Sequence, residues 1–260
     1  MRALLTGLLL ACTIGAAQAA EPDPAPFDAL LGRYVSTAPD GVNRVDYAAW
    51  KASGADRAAL DAYIASVERT RISTLSRNEQ FATWANLYNA ATVRVILQRF
   101  PVRSIRDIRS EGAGFLAKAL AGPWQTKVVA VEGRRLSLDE IEHTIMRPAF
   151  RDPRVHYAVN CASIGCPNLM VQAFHAATLE AELDAAARAY INHPRAVSVA
   201  GRGLRLSSIY DWYAGDFGTP AQLRTHLLRY AAPDLAARIR ATDRIAGYGY
   251  DWRLNVRAGR

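Results

Sequence analysis

The stretch from Ser76 to Phe100 constrains the fold more than any other part of the chain. Ser76 and Glu79 have the spacing of a capping box, in which each side chain satisfies a free backbone N–H of the first helical turn. Pro101 disfavours helical backbone in the residue before it, so a helix must end by Phe100. Between these limits the apolar residues recur at helical spacing: Phe81, Trp84, Ala85, Leu87, Tyr88, Ala91 and Val95. The pattern therefore predicts a long helix whose aromatic side chains belong to the core.

Shorter helices and two hairpins flank this helix in the sequence. Residues 127–137 and 197–206 are typical of β-hairpins, because strand-forming residues flank Glu132-Gly133-Arg134 and Gly201-Arg202-Gly203. The apolar run at 155–159 is typical of a central strand. The remaining predicted elements are helices at 27–34, 55–69, 137–147, 179–191, 221–230 and 234–241, and strands at 42–47 and 248–252.

Helices and hairpins alternate without the regular strand–helix–strand order of a parallel sheet. We therefore predict an α+β fold, with several amphipathic helices packed around a small, mostly antiparallel sheet in a single domain over residues 27–260. Such an arrangement could be papain-like. The chain has 260 residues, of which 50% are hydrophobic, so its core needs no metal or disulfide for stability.

Residues 1–19 have the pattern of a secretory signal peptide. Arg2 is followed by a short apolar run, and small residues at Ala17 and Ala19 place a cleavage site after Ala19. The apolar run is too short to span a bilayer, so we expect no stable membrane insertion. A proline-rich lead-in follows at 20–26. The sequence thus predicts an exported protein that is periplasmic or secreted.

The chain carries a formal charge of +8 at pH 7, from 32 basic and 24 acidic residues. Such a charge could attract an anionic polymer such as nucleic acid. The basic residues are scattered, however, and form no run typical of a nucleic-acid-binding surface. We therefore expect no nucleic-acid partner.

Two cysteines, Cys161 and Cys166, remain once residues 1–19 are removed, because Cys12 leaves with the signal peptide. They lie in a loop, residues 160–167, that follows the predicted strand. A strand end is a common place for a reactive group, since the sheet fixes it and the loop exposes it.

Three interpretations of this cysteine pair stay open. One thiol could be a nucleophile, or the two could form a disulfide, which an oxidising compartment permits. The pair could also bind a metal with His143 and His156, but this spacing matches no standard zinc pattern, so we predict no metal and no cofactor. On the residues alone, the disulfide is slightly favoured over the thiol nucleophile.

A nucleophilic Cys161 or Cys166 would need a base and a third group that orients the base. Strand alternation would put His156 and Cys161 on opposite faces, which favours His143 as the base. The candidates for the remaining roles are Glu142, Glu79 and Asp139 as orienting carboxylates, and Asn86 or Asn89 as donors to an oxyanion.

A bound ligand would contact further side chains. Segments 211–213 and 250–252 could line a groove with aromatic walls beside a carboxylate, although ordinary packing is the simpler account of these residues. Simpler explanations remain open, because Trp84 fits core packing, His156 fits a buried hydrogen-bonded histidine, and Glu79 fits a helix cap alone. The candidate ligand-binding residues are Asn89, His156 and Trp84.

Four segments together resemble the domain-of-unknown-function family numbered 547. They are residues 78–90, 137–143, 156–167 and 250–255. The resemblance covers roughly residues 70–195, and its flanks more loosely. It implies secreted bacterial members and plant relatives with a leucine zipper, which this sequence lacks, and it implies no settled activity. The resemblance also implies that the Glu-His pair, the asparagines and both cysteines are positions of the family's motifs.

Two hypotheses for the function follow. In the first, the chain is an exported cysteine-dependent hydrolase or acyl transferase that uses a Cys/His/Glu site. In the second, it is a non-catalytic envelope module, with a structural disulfide between Cys161 and Cys166. In both cases the expected partner is a small peptide or an envelope ligand.

Overall fold

The structure is a computed structural model that describes residues 20–108 and 123–257. The predicted signal peptide, residues 1–19, lies outside the described residues. Within the described residues, no helix is both long enough and apolar enough to cross a membrane. The fold is α+β, as predicted, with small and mostly antiparallel sheets set among the helices of a single domain.

Most of the helices are short. Helix α1 begins at Ala25, so the lead-in predicted for 20–26 is shorter than expected, because a proline such as Pro26 is tolerated in the first helical turn. A π-helix, Glu140–Met146, leads directly into α5. The α-helices are α1 (Ala25–Tyr34), α2 (Tyr47–Ala52), α3 (Gly54–Glu68), α4 (Arg77–Arg99), α5 (Arg147–Phe150), α6 (Val155–Ala158), α7 (Leu179–Ile191), α8 (Ile209–Trp212), α9 (Ala214–Phe217), α10 (Pro220–Tyr230) and α11 (Pro233–Arg240).

Helix α4 is the long helix that the sequence predicts. Its capping box is formed: the Ser76 N–H donates to Glu79 Oε2 at 2.7 Å, and the Glu79 N–H donates to Ser76 Oγ at 3.5 Å. Every residue from Phe81 to Val93 is buried, so the helix runs through the core and is covered on all sides. Its polar side chains in that stretch are therefore inside the protein.

The strands of the described residues form three small sheets. β1 pairs with β2 and β3 with β4 in antiparallel hairpins, whereas β7 runs parallel to β6 in the third sheet, β5-β6-β7. Both predicted hairpins are confirmed. The strand predicted at 248–252 lies earlier in the chain: β7 begins at Arg244 and ends at Gly249. The strands are β1 (Val35–Thr37), β2 (Asn43–Val45), β3 (Lys127–Val131), β4 (Arg134–Ser137), β5 (Val197–Ala200), β6 (Gly203–Ser207) and β7 (Arg244–Gly249).

The prediction of a central strand at 155–159 is wrong. Residues Val155–Ala158 form the short helix α6, and only Val159 is extended. All four helical residues are buried, and a short apolar run that is buried on every side has the same pattern in a strand or a helix. The argument that His156 and Cys161 lie on opposite faces of a strand therefore fails.

The π-helix carries the Glu-His pair. Ser137 and Glu140 form the predicted capping box at its start, where the Ser137 N–H donates to Glu140 Oε2 at 2.8 Å. At its end the Arg147 N–H bonds to the carbonyl of Glu142, five residues earlier, which widens the helix. Such π segments are rare and are frequently found at functional sites.

Two buried apolar clusters form the core. The first surrounds α4 and includes residues of α1 and α3. The second lies between α7, the β5-β6 hairpin and α10. Met170 packs against both clusters.

Candidate functional site

A cavity of about 310 Å³ brings several of the predicted site residues together; we call it the central cavity. Both sulfur-bearing residues, Cys161 and Cys166, lie on its wall, as do His143, Glu142 and His156. The remaining lining residues are Tyr88, Trp124, Gln125, Asp139, Val159, Pro167, Ile209, Trp212, Tyr213, Tyr250 and Trp252. Residues as distant in the sequence as Tyr88 and Trp252 thus meet at one surface.

A disulfide joins Cys161 and Cys166, whose Cα atoms are 6.3 Å apart. The disulfide interpretation of the cysteine pair is therefore confirmed, and neither sulfur is a thiolate available to a metal. Cys161 is half-buried, whereas Cys166 is only 4% exposed. The two cysteine residues thus differ in solvent exposure, although both line the cavity.

Two hydroxyl groups surround the disulfide. Tyr250 Oη lies 3.1 Å from the Cys161 sulfur and 3.0 Å from the Cys166 sulfur, and Ser163 Oγ lies 3.1 Å from the Cys161 sulfur. Burial raises the pKa of Tyr250 well above its ordinary value, so its hydroxyl keeps the proton that it donates.

The disulfide loop, residues 160–167, has an unusual backbone at Ala162, directly after Cys161. The φ angle of Ala162 is +60°, in the left-handed region that residues with a β-carbon rarely adopt. Its N–H is held by Asn160 Oδ1 at 2.8 Å, and its carbonyl accepts the N–H of Asn255 at 3.0 Å. Strained backbone of this kind clusters at functional sites.

On another part of the cavity wall, His156 lies between two carboxylates. Its Nε2 is 2.7 Å from Asp216 Oδ2 and its Nδ1 is 3.6 Å from Glu142 Oε1. Burial alone would lower the pKa of His156, but the hydrogen bonds to Asp216 and Glu142 outweigh it and raise the pKa above its ordinary value. The ring also stacks on Tyr213, with ring centres 4.1 Å apart.

The carboxylates of this group favour their charged forms. The hydrogen bond from His156, together with one from Arg147 at 2.5 Å, holds the pKa of Asp216 well below its usual range despite partial burial. Burial alone would raise the pKa of Glu142, but the hydrogen bond to His156 and the nearby imidazole groups lower it overall. Glu142, His156, Asp216 and Arg147 thus form a network whose charges cancel.

His143 lies at the edge of this network, with a side chain that is 29% exposed. Arg147 Nη1 lies 3.1 Å from its Nδ1, and because arginine can only donate, this nitrogen accepts. Its Nε2 is 3.4 Å from Asp139 Oδ1. Asp139 is therefore the carboxylate that orients His143, while Glu142 orients His156 instead.

Asn86 and Asn89 do not face the cavity. The Asn86 side chain bonds to both backbone groups of Phe174, at 2.8 Å each. The Asn89 amide donates to the carbonyl of Ala158 at 2.9 Å and accepts the N–H of Asn160 at 2.8 Å. Both asparagines therefore fix backbone, and Asn89 fixes the segment that leads into Cys161, so neither is placed as an oxyanion donor.

Glu79 and Trp84 also lie away from the central cavity. The Glu79 carboxylate is used by the Ser76 cap, and Trp84 is 6% exposed within the first apolar cluster. The prediction that Glu79 orients a catalytic base is therefore wrong, and so is the prediction that Trp84 contacts a ligand in this cavity. The carboxylates that line the cavity beside the aromatic walls are Asp139 and Glu142, whereas Asp211 and Asp251 do not line it. Across 20–108 and 123–257, no group of three or more His, Cys, Asp or Glu residues is placed to hold a metal ion.

A comparison with known families identifies part of the chain. Residues 72–191 match the family described as "Protein of unknown function, DUF547". We call these matched residues the DUF547 domain. The predicted resemblance is thereby confirmed, and the match lies within the predicted span of 70–195. No curated protein and no solved structure is significantly similar to the chain.

The DUF547 domain supplies only part of the cavity. It contains α4, the π-helix, the disulfide loop and α7, but the match ends at Ile191. The aromatic walls at Trp212, Tyr213, Tyr250 and Trp252 come from the segment that follows the DUF547 domain. The site is therefore complete only with both parts of the chain.

Sequence reasoning missed Asp216 and Arg147, which complete the network around His156. Asp216 lies 60 residues after His156, in the four-residue helix α9, and no motif or periodicity marks it. Arg147 was one of many scattered arginines. For the aromatic walls a signal existed, since segments 211–213 and 250–252 were candidates for a ligand groove.

Proposed function

We propose that the chain is an exported cysteine-dependent hydrolase or acyl transferase whose nucleophile is masked by a disulfide. The single observation that carries this proposal is the central cavity, whose lining includes Cys161 together with His143, Glu142 and His156. A reactive sulfur, an imidazole and carboxylates in one cavity are the groups that thiol-based acyl transfer requires. The disulfide adds that the nucleophile is formed only after reduction.

Cys161 is the better candidate for the nucleophile. It is half-buried on the cavity wall, whereas Cys166 is nearly fully buried. The left-handed backbone at Ala162 follows Cys161 directly. The hydroxyls of Tyr250 and Ser163 lie within 3.1 Å of its sulfur and can donate to a thiolate, which lowers the cost of its charge.

His143 is the better candidate for the base. Both ring nitrogens of His156 face carboxylates, which favour the protonated ring and so make it a poor base. His143 is more exposed. Nδ1 of His143 accepts from Arg147 in this structure. To take the thiol proton, the ring must exchange this hydrogen bond for one from Cys161.

The reaction has three steps. A thiol or phosphine reductant supplies two electrons to the disulfide and is itself oxidised, leaving two thiols. His143 takes the proton of Cys161, and the thiolate attacks an ester or amide carbonyl, so that a C–S bond forms and the leaving group departs with the proton. Water or an amine then attacks the thioester carbonyl, breaks the C–S bond and returns the thiol.

Export is part of the same proposal. Its support is the signal-like pattern at residues 1–19 together with the disulfide, a bond that persists in oxidising compartments.

The second candidate function is a non-catalytic ligand-binding module. It is favoured by one observation: the sulfurs are already bonded to each other, so the cavity as it stands is a binding site with aromatic walls. In that case the disulfide only shapes the wall.

Hydrolysis of p-nitrophenyl acetate separates the two candidates. Protein reduced by a phosphine should release p-nitrophenol faster than oxidised protein and should carry an acetyl group on Cys161, seen by mass spectrometry. Cys161→Ser should lose both signals, while Cys166→Ser should hydrolyse the ester without any reductant because Cys161 is then free. His143→Gln should slow acylation without preventing alkylation of Cys161.

Melting curves of all variants control for folding. If reduced wild type and a folded Cys161→Ser hydrolyse the ester at the same rate, with no acetyl group on Cys161, the enzyme proposal is wrong and the binding module stands.

A further inference from the structure

The central cavity has a charge that is unusual for this protein. The chain carries 32 lysines and arginines, yet none of the described residues that line the cavity is a lysine or an arginine. Its lining contains two carboxylates, Asp139 and Glu142, and six aromatic side chains other than histidine. In a basic protein, a cavity with acidic and aromatic walls favours a ligand of the opposite charge.

The acidic character comes mainly from Asp139. The charges of Glu142, His156, Asp216 and Arg147 cancel within their network, in contacts of 2.5 to 3.6 Å. Asp139 lies outside that network, is 44% exposed, and has His143 Nε2 at 3.4 Å as its neighbour. Its carboxylate is therefore available to a cation that enters the cavity.

The aromatic side chains of the cavity offer surface both to a hydrocarbon stem and to a cation. Trp212 is 46% exposed and packs against Tyr250 and Trp252, with ring centres 4.9 and 5.5 Å apart. The rings of this site already attract cations from the protein itself: the Arg106 guanidinium lies 5.2 Å from the ring centre of Trp252, and that of Arg147 lies 5.0 Å from Tyr213. Aromatic faces attract cations through the quadrupole of the ring.

We propose that the central cavity binds a protonated primary amine on a short hydrocarbon stem. The ammonium group lies at Asp139, and the stem lies against Trp212 and Trp252. This inference rests on the proposed function, because such an amine is the acyl acceptor that resolves the acyl-enzyme. The ammonium group gives one proton to His143, the nitrogen attacks the thioester carbonyl, the C–S bond breaks, and the thiolate takes the second amine proton.

Binding to the oxidised protein tests the inference without any thiol chemistry. The probes are n-hexylammonium, n-hexanol and hexanoate, which share one stem and differ in the charge of the head group. By titration calorimetry we expect hexylammonium to bind about tenfold more tightly than hexanol, since a cation–π contact and one carboxylate together contribute about that factor. Hexanoate should bind more weakly than hexanol.

Two variants assign the contacts. Asp139→Asn should remove the advantage of hexylammonium over hexanol and leave hexanol binding unchanged. Trp212→Ala should weaken both, because it removes the surface for the stem. Asp243→Asn is the matched control, since Asp243 is an exposed carboxylate paired with Arg202 outside the cavity, and it should change neither affinity.

The inference is wrong if hexanoate binds as tightly as hexylammonium, if no probe binds, or if Asp139→Asn leaves the preference for the cation intact. These outcomes are independent of p-nitrophenyl acetate hydrolysis, so either proposal can fail alone. The source of the amine is decided by comparing n-pentylammonium with Nα-acetyl-lysine N-methylamide. Tighter binding of the latter indicates a peptide lysine, and tighter or equal binding of the former indicates a free amine.

Discussion

His156 and Asp216 form a hydrogen bond of 2.7 Å between Nε2 and Oδ2, across 60 residues of sequence. The bond joins α6, which precedes the disulfide loop, to α9, which follows the DUF547 domain. It therefore connects the two parts of the chain that together form the central cavity.

The first prediction concerns the pH dependence of this bond. The pKa of His156 is raised above its ordinary value of 6.5. The protonated ring therefore stabilises the folded protein fully below about pH 6.5, and this contribution to the unfolding free energy is lost as the pH rises through the raised pKa. The pKa of Asp216 is lowered from 3.8, so its contribution is present above that pH and is lost in acid. Urea denaturation at a series of pH values should show the His156 contribution largest between about pH 4 and 6.5.

The difference in unfolding free energy between wild type and His156→Gln isolates this effect. The comparison is needed because burial lowers the pKa of His226 to about 4, which makes stability rise with pH over the same range. Asp216→Asn should cost about 1.5–3 kcal/mol at pH 6, as expected for a hydrogen bond to a charged group. The prediction is contradicted if the difference in unfolding free energy between wild type and His156→Gln is the same at pH 6 and at pH 9.

The second prediction concerns the two sulfurs. In Cys166→Ser the remaining Cys161 should react rapidly with iodoacetamide, and in Cys161→Ser the remaining Cys166 should react slowly, because only Cys161 is half-exposed on the cavity wall. Intact-mass spectrometry measures both rates. Each variant opens the same short loop and should lose about 2 kcal/mol of stability in the chain-entropy model. Equal alkylation rates would show that the two thiols have the same access.

The third prediction separates two asparagines with the same local chemistry. Asn86→Ala and Asn89→Ala each leave a buried backbone N–H and a buried carbonyl without their partner, so each should destabilise the protein by about 1–3 kcal/mol per group. Only Asn89 holds the segment before Cys161. Asn89→Ala should therefore also change the alkylation rate of Cys161 in a Cys166→Ser background, and Asn86→Ala should not.

The fourth prediction concerns Gly165 in the disulfide loop. A β-carbon at this position would lie 2.8 Å from the backbone nitrogen of Asp251 and 2.9 Å from Tyr250 Cδ2, so Gly165→Ala must displace the residues that cover the disulfide. We expect a loss of about 1–3 kcal/mol in thermal or urea denaturation, together with faster reduction of the disulfide.

Gly32→Ala is the control for Gly165→Ala. Gly32 lies in α1, and a β-carbon at this position would have no heavy atom within 4 Å. Because alanine also favours a helix, this change should stabilise the protein by about 0.5–1 kcal/mol. If both alanine variants shift stability in the same direction, the close approach at Gly165 has no energetic effect.

Features with local causes could be predicted from the sequence. The capping box of Ser76 and Glu79 fixes the start of α4, and Pro101 fixes its end, because both act on neighbouring backbone. The β3-β4 hairpin is set by Glu132 and Gly133, whose φ angles of 48° and 78° match a two-residue turn.

Prediction failed where two structures share one pattern. The buried run at 155–159 is apolar on every side, so its periodicity could not separate a strand from the helix α6. Glu79 shows the opposite problem: a carboxylate in a family motif suggested chemistry, although its hydrogen bonds to Ser76 account for it locally.

By itself the sequence determined the long helix, the hairpins, the α+β class and the family, because caps, turns and hydrophobic periodicity act over a few residues. Only the tertiary structure decided that Glu142 pairs with His156 rather than with its neighbour His143, and that Asp216 completes the network. It also decided that aromatic residues near both 212 and 250 line the same cavity as the disulfide. These contacts join distant segments, and their partners are selected by the packing of the whole core, which no local pattern records.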